Sequence, residues 1–375
     1  MINGKKINTV SLKPRILIAP LDWGLGHATR CIPIINELIE QNCEVVIAAA
    51  GSSLFLLKKE FPATVFLRIG GYEIQYSRNS KWLPFTLLLQ FPKIIFSIRK
   101  ENAWLKKIIA EYEVDAVISD NRFGLYNKKV PSVYITHQLY IKTGNIFSEK
   151  IAQKIHDHFI KKYINCWVPD FKENGLAGEL SHPVNIPSNV SYIGPLSRFE
   201  KINNITKIYN LLISLSGPEP QRTIFEKMII AQLKTFKKKV LLVRGLPDEN
   251  KTLQADAGLI EIVNHLPAEK LNIAFQQSEM IISRSGYSTI MDLVKLEKNA
   301  ILVPTPGQKE QEYLANYLME KKYFYSVPQH NFSLETTIDH ASSFPFINPA
   351  SSVSSYKNVI REFVLSLKPG NFTPQ

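Results

Sequence analysis

Cysteine is scarce in this chain, with Cys31, Cys43 and Cys166 the only three in 375 residues. Their spacing matches no metal-binding pattern and builds no paired framework. That excludes a disulfide-stapled secreted scaffold and suits a reducing compartment. Long apolar runs are also missing. The most apolar stretch, Trp82 to Ile98, is interrupted by Pro84, Gln90, Pro92 and Lys93, so it makes no convincing membrane span. Met1 to Pro14 are polar and basic, and the apolar run after them is the size of a strand rather than a signal h-region, so export is not expected. Short-period repeats, low-complexity tracts and nucleic-acid-binding motifs of the recognised kinds are absent as well.

Acidic residues are in deficit. The net charge is +12, and residues 1–200 hold 25 basic and 17 acidic side chains, so +8 of the excess falls there. Such a balance fits phosphorylated ligands or an anionic membrane surface, and equally fits lysines on solvated helix faces. Arg99, Lys100, Lys106 and Lys107 follow the apolar stretch 82–98. That segment reads either as an interfacial helix with basic flanks or as a buried core helix pair.

What is present is an alternation of short apolar strands and helical stretches. Strands are expected at 15–21, 44–50, 64–69, 114–120, 132–137 and 190–196, then at 210–216, 239–244, 259–263, 279–283 and 300–304. This pattern argues for an α/β protein built from two doubly wound, Rossmann-like parallel sheets facing a central cleft. The polar, asparagine-rich stretch after Gly194-Pro195 marks a boundary. The expected organisation is an N-terminal domain over 1–197, a linker over 198–209, a C-terminal domain over 210–350, and a final helical segment, 351–375, free to pack back on the N-terminal domain.

Three strand ends carry glycine turns. Arg15 to Leu21 leads into Asp22-Trp-Gly-Leu-Gly-His-Ala-Thr-Arg30. A dinucleotide fingerprint would want a third glycine where Thr29 stands and an acidic end to the next strand, so a nicotinamide or flavin enzyme is disfavoured. What this turn offers is His27, an ionisable group at the mouth of a helix, beside Gly24 and Gly26. Ser214-Leu-Ser-Gly217 opens the second domain. Ser283-Arg-Ser-Gly286 leads to a helix that Ser288 or Thr289 would cap, with Asp292 in its first turn facing the same crevice. Helix starts with free N–H groups favour a phosphate. Each of these segments also reads as an ordinary turn or capping pair.

Together, Gly24-Leu-Gly-His27, Ser214-Leu-Ser-Gly217, Ser283-Arg-Ser-Gly286 with Asp292, and Pro304-Thr-Pro-Gly-Gln-Lys-Glu-Gln311 with Asn316 resemble the GT-B glycosyltransferases of family 28. That group contains the UDP-N-acetylglucosamine transferase of peptidoglycan lipid-intermediate synthesis and related glycolipid synthases. The resemblance implies an inverting transferase that moves a hexose or N-acetylhexosamine from a nucleotide donor, UDP first, to a hydroxyl acceptor that includes lipid-linked ones. It implies no tightly bound metal and no cofactor. Helix N-termini and basic side chains would neutralise the diphosphate: Ser216, Gly217, Arg244, Arg284, Ser285, Gly286 and Ser288. Asp292 would hold the ribose, Val263 to Leu266 would pack the uracil, and Gln308, Glu310, Gln311 and Glu312 would read sugar hydroxyls.

The first domain would hold the acceptor, through Gly24, Gly26, Asn121, Arg122 and His137. The base is either His27, whose ordinary pKa lies near neutrality, or Asp120, which alternatively orients it. The expected setting is cytoplasmic, at the inner face of the cell membrane. A nucleotide-sugar 2-epimerase of the same architecture, and a non-catalytic sugar-nucleotide-binding protein, remain open alternatives.

Overall fold

Arg15–Pro20 (β1) is a buried apolar run, and it takes an interior position in a seven-stranded sheet. A computed structural model describes residues 13–22, 24–70, 83–142, 146–247, 249, 253, 258–349 and 356–367. With Glu44–Ala49 (β2), Val65–Arg68 (β3), Ala116–Asp120 (β4), Ser132–Ile135 (β5), Asn165–Val168 (β6) and Val190–Tyr192 (β7), the strand order is β3-β2-β1-β4-β5-β6-β7. A second sheet is built from Tyr209–Ser214 (β8), Val240–Val243 (β9), Ile260–Val263 (β10), Ser278–Ser283 (β11), Ala300–Leu302 (β12) and Tyr325–Ser326 (β13), in the order β10-β9-β8-β11-β12-β13. Every pairing in both sheets is parallel.

The order reverses between β1 and β4 in the first sheet and between β8 and β11 in the second. Ligands of open parallel sheets bind at the carboxyl ends of the strands beside such a reversal. The expected strands are all present. Two more were not anticipated: β6, four residues following a helix, and β13, only two residues long. Strands this short leave almost no alternation to read.

Leu25–Glu40 (α1) follows β1, and Leu83–Tyr112 (α3) precedes β4. The apolar stretch after Trp82 reads from its sequence either as an interfacial helix or as a core helix pair. It forms the start of one continuous helix of 30 residues that contains Pro92. Among the described residues no helix is long and apolar enough to cross a membrane. In the second sheet Gln221–Leu233 (α5) follows β8, Tyr287–Lys295 (α7) follows β11 and Lys309–Glu320 (α8) follows β12.

The cap of α7 is Gly286, with no side-chain cap bond, rather than Ser288 or Thr289. Asp292 therefore lies in the second turn, not the first. Tyr356–Ser366 (α10) returns to the first domain, packing on α1 and setting Phe363 edge-on to Trp167 at 5.4 Å. A single apolar cluster runs through both domains, from Ile16, Ile34 and Trp167 to Tyr287, Ile290, Leu314 and Phe363.

Candidate active site

The reversal in the first sheet gathers an ionised cluster. His27 sits in the first turn of α1, after Gly24, whose φ of +92° is a conformation that glycine adopts freely. Asp120 ends β4 with no exposed surface. His27 Nδ1 lies 3.1 Å from Asp120 Oδ1. Arg30, one helical turn beyond His27, donates from Nε to Asp120 Oδ2 at 2.7 Å and from its terminal nitrogen to Asp120 Oδ1. Its other terminal nitrogen is 3.0 Å from His137 Nδ1, and His137 Nε2 reaches Glu310 Oε1 of α8, across the cleft, at 2.7 Å. The His137 ring stacks on Tyr287 at 4.3 Å.

Burial would raise the Asp120 pKa, but the Arg30 charge and the hydrogen bonds from Arg30 and His27 outweigh it and hold the carboxyl well below the usual range. Burial, then the Arg30 charge, lowers the His27 pKa against the pull of Asp120, so the imidazole is neutral at neutral pH. An Asp120 carboxylate can only accept, so it takes the Nδ1 proton of His27. That leaves the Nε2 lone pair unused by any described residue, on a side chain 16% exposed at the cleft. A buried carboxylate orienting a neutral imidazole is the arrangement of a general base.

The reversal in the second sheet faces this cluster. Gly217 has φ +105°, and a Cβ there would press on Thr305 Oγ1 at 3.3 Å. The hydroxyls of Thr305 and Ser283 are buried without a partner among the described residues. Gly286 opens α7 with free space where its Cβ would be. Unpaired buried hydroxyls beside a bare helix N-terminus and a left-handed glycine make a cradle for an anion. The two domains touch here, since Ser288 donates to the Gly26 carbonyl at 2.9 Å. A Cβ on Gly26 would meet Ser288 Oγ at 3.1 Å, which explains the second glycine of the first turn. Among the described residues no group of three or more His, Cys, Asp or Glu is arranged to hold a metal ion.

Several expected site residues are placed elsewhere. Arg122 is fully buried, and it spends its guanidinium on the carbonyls of Pro20 and Gly70 and on the Glu101 carboxylate. Its remaining terminal nitrogen lies 3.6 Å from Asp22 Oδ1, and the side chain braces the strand ends. Asn121, at φ +55°, accepts from the Tyr134 hydroxyl. Asp292, expected at the ribose, turns instead into the linker. There it accepts from Ser197 Oγ at 2.7 Å and lies 3.5 Å from Arg198. Burial pushes its carboxyl up to about 6 against the Arg198 charge.

Arg284 is also internal, donating to the carbonyls of Val303, Pro304 and Gln221 and to Gln329. Arg244 pairs with Glu226 and Asn264. Val263 and Leu266 pack half-buried against the shared core. Ser285 donates to the Gln311 carbonyl, and Gln311 accepts from the Thr305 N–H and donates to Gln308, which ties the β12–α8 turn together. Ser216 lies at the end of β8 beside Gly217.

Arg30, Tyr287 and Thr305 were not anticipated as members of the site. Arg30 had a readable signal, because three residues after His27 on a helix puts it on the same face. Tyr287 is brought in only by the approach of the two sheets, and Thr305 by the meeting of strand ends within the second one.

Residues 221–348 match the glycosyltransferase family 28 C-terminal domain. An uncharacterized glycosyltransferase of Methanosarcina acetivorans is 24% identical over 333 residues, covering 82% of this chain and 84% of that protein. A UDP-N-acetylglucosamine--N-acetylmuramyl-(pentapeptide) pyrophosphoryl-undecaprenol N-acetylglucosamine transferase of Amoebophilus asiaticus is 21% identical over 308 residues, covering 78% of this chain and 80% of that one. Among solved structures, the spinosyn rhamnosyltransferase SpnG complexed with thymidine diphosphate superposes with a TM-score of 0.59 at 12% identity, over 94% of this chain and 96% of its own. Fold and site thus define a GT-B glycosyltransferase. Its second domain is of the family 28 type, and the chain as a whole resembles that family.

Proposed function

We propose that this chain transfers a hexose or N-acetylhexosamine from a nucleoside diphosphate donor, UDP first, to a hydroxyl acceptor with inversion. The observation that carries this reading is the free Nε2 of His27, backed by Asp120 and facing the glycine-lined strand ends of the second domain. His27 Nε2 takes the proton of the acceptor hydroxyl as its oxygen bonds the anomeric carbon. The bond from that carbon to the diphosphate breaks on the opposite face, which inverts the centre. The leaving charge is received by the α7 N-terminus, the turn at Ser216–Gly217 and the Thr305 hydroxyl. Gln308, Glu310 and Gln311 read the sugar hydroxyls. No metal or cofactor is needed in this scheme.

A lipid-linked acceptor is supported by the Amoebophilus relative, named for transfer to a pyrophosphoryl-undecaprenol, and by the outer face of α3, where Phe96 is 68% exposed beside the exposed Arg99 and Lys100. Both features suit work at an anionic membrane face.

A thermal-shift panel of nucleotides and nucleotide sugars identifies the donor, since a ligand bound only to the native state stabilises it. With that donor, His27→Ala should lower turnover by about 10²–10⁴-fold while the donor shift is kept. Loss of the donor shift in His27→Ala would make His27 a phosphate contact instead. Epimerised sugar nucleotide formed from the donor alone would replace transfer by 2-epimerisation. Binding without turnover across an acceptor panel would leave a sugar-nucleotide-binding protein.

A further inference from the structure

Arg30 is almost fully buried and reaches no open space, yet it touches each polar member of the first-domain cluster. A guanidinium has only donors and keeps its proton. His137 Nδ1, 3.0 Å from an Arg30 terminal nitrogen, must therefore present a lone pair, so its proton sits on Nε2. That proton is donated to Glu310 Oε1 at 2.7 Å. At His27 the order is reversed. Asp120 Oδ1 accepts the Nδ1 proton at 3.1 Å. The Arg30 terminal nitrogen that lies 2.9 Å from the same Nδ1 has Asp120 Oδ1 as its own acceptor.

The opposite assignment at His27 would set a lone pair against a carboxylate oxygen. Two acceptors would then face each other, whereas the Arg30 nitrogen already has Asp120 Oδ1 to donate to, so that assignment loses. We propose that Arg30 is a positioning residue: by sharing one planar fork between Asp120 and His137 it sets His27 and His137 in opposite tautomers, leaving the Nε2 lone pair of His27 aimed at the cleft and the Nε2 proton of His137 aimed at Glu310 of the second domain. The assignment deepens the reading of His27 as base. It also makes closure of the cleft part of the same network, because Glu310 arrives from α8.

The charged and titratable groups facing His27 are Arg30 on α1, Asp120 on β4, His137 beyond β5 and Glu310 on α8. Cys31 donates weakly to Asp120 at 3.6 Å, and Tyr287 covers His137.

Ring-nitrogen NMR of the full chain with labelled histidine tests this without any substrate. His27→Gln and His137→Gln identify the two signals among the eight histidines. The wild type should show the proton on Nδ1 of His27 and on Nε2 of His137. Arg30→Lys keeps a charge but has no fork, and should leave His137 a mixture of tautomers. Arg30→Gln should also raise the proton affinity of His27 by about tenfold or more, one pH unit of titration, since a positive neighbour is gone and Asp120 remains.

The same tautomer at both rings in the wild type, or a His137 unchanged in Arg30→Lys, overturns the assignment. The wild-type spectrum decides the tautomers even where Arg30→Gln fails to fold. Opposite tautomers in a protein that transfers no sugar would overturn only the base. Transfer with matching tautomers would overturn only the role of Arg30.

Discussion

The proposed base, His27, can act only while neutral, and burial and Arg30 hold its pKa below the ordinary histidine value. The acid limb of kcat/KM should therefore fall below pH 6.5, with activity rising as pH climbs through that limb and staying flat above it. An acid limb at or above 7 would assign the titration to another group. Asp120 is harder to probe. Asp120→Asn leaves Arg30 buried without its counter-charge, and breaking such a pair costs about 3–5 kcal/mol. The variant should lose both turnover and stability, and its melting temperature has to be read beside its rate. A variant with unchanged melting would show that the Arg30 pair contributes little to the fold.

Asp292 gives a test of opposite sign. Its folded pKa, about 6, is raised above the unfolded value. Its contribution is fully present below the unfolded pKa and is lost as pH rises through 6. The stability of Asp292→Asn relative to wild type should therefore move in the variant's favour by roughly 2–3 kcal/mol between pH 4 and pH 7, whatever its constant offset. A difference that stays flat over that window would mean that Arg198 keeps Asp292 ionised throughout.

At the scale of elements, α10 contributes Tyr356, Ile360, Phe363 and Val364 to the core. Phe363→Ala should cost about 3–5 kcal/mol, the usual loss for a buried aromatic, as read by urea unfolding. A cost under 1 kcal/mol, a value within reach of surface substitutions, would show that the helix is only loosely docked. On α3, Phe96→Ser with Lys100→Glu should reduce sedimentation with anionic vesicles, and salt should release the wild type. Equal partition of the wild type to neutral vesicles would speak against an electrostatic membrane face. The apolar runs and glycine turns made both sheets and the strand ends that line the cleft readable, since buried parallel strands are continuous hydrophobic runs. The start of α7 misled because Ser288 and Thr289 are good cap residues, while the observed cap, Gly286, signals only through its backbone. Arg122, Arg284 and Asp292 look like site residues in one dimension. Their partners lie on carbonyls and linker atoms that only the tertiary fold brings near.

In the whole molecule, the two sheets do not behave as beads on a linker. Tyr287 donates to the Pro169 carbonyl at 2.9 Å, Tyr317 donates to the Gly175 carbonyl at 3.0 Å, and Ser288 and Glu310 cross the cleft to Gly26 and His137. Behind these bonds the apolar cluster is continuous, and α10 returns from the second domain to close it. Domains joined by a polar, modest interface usually unfold one at a time, whereas a shared core removes that freedom. Losing the second domain would expose the core side chains of α7, Ile290 and Leu293 among them, together with the face of α1 packed on that helix, and each buried side chain of this size contributes roughly 1.5–3 kcal/mol. Scanning calorimetry should therefore show one transition, with calorimetric and van't Hoff enthalpies in agreement. The donor found in the nucleotide panel should shift that single transition as a whole, although the proposed phosphate cradle belongs to the second domain alone. Two resolved transitions, with only the upper or the lower one moved by the donor, would mean that the domains unfold separately and that the contacts between Glu310 and His137 do not couple them.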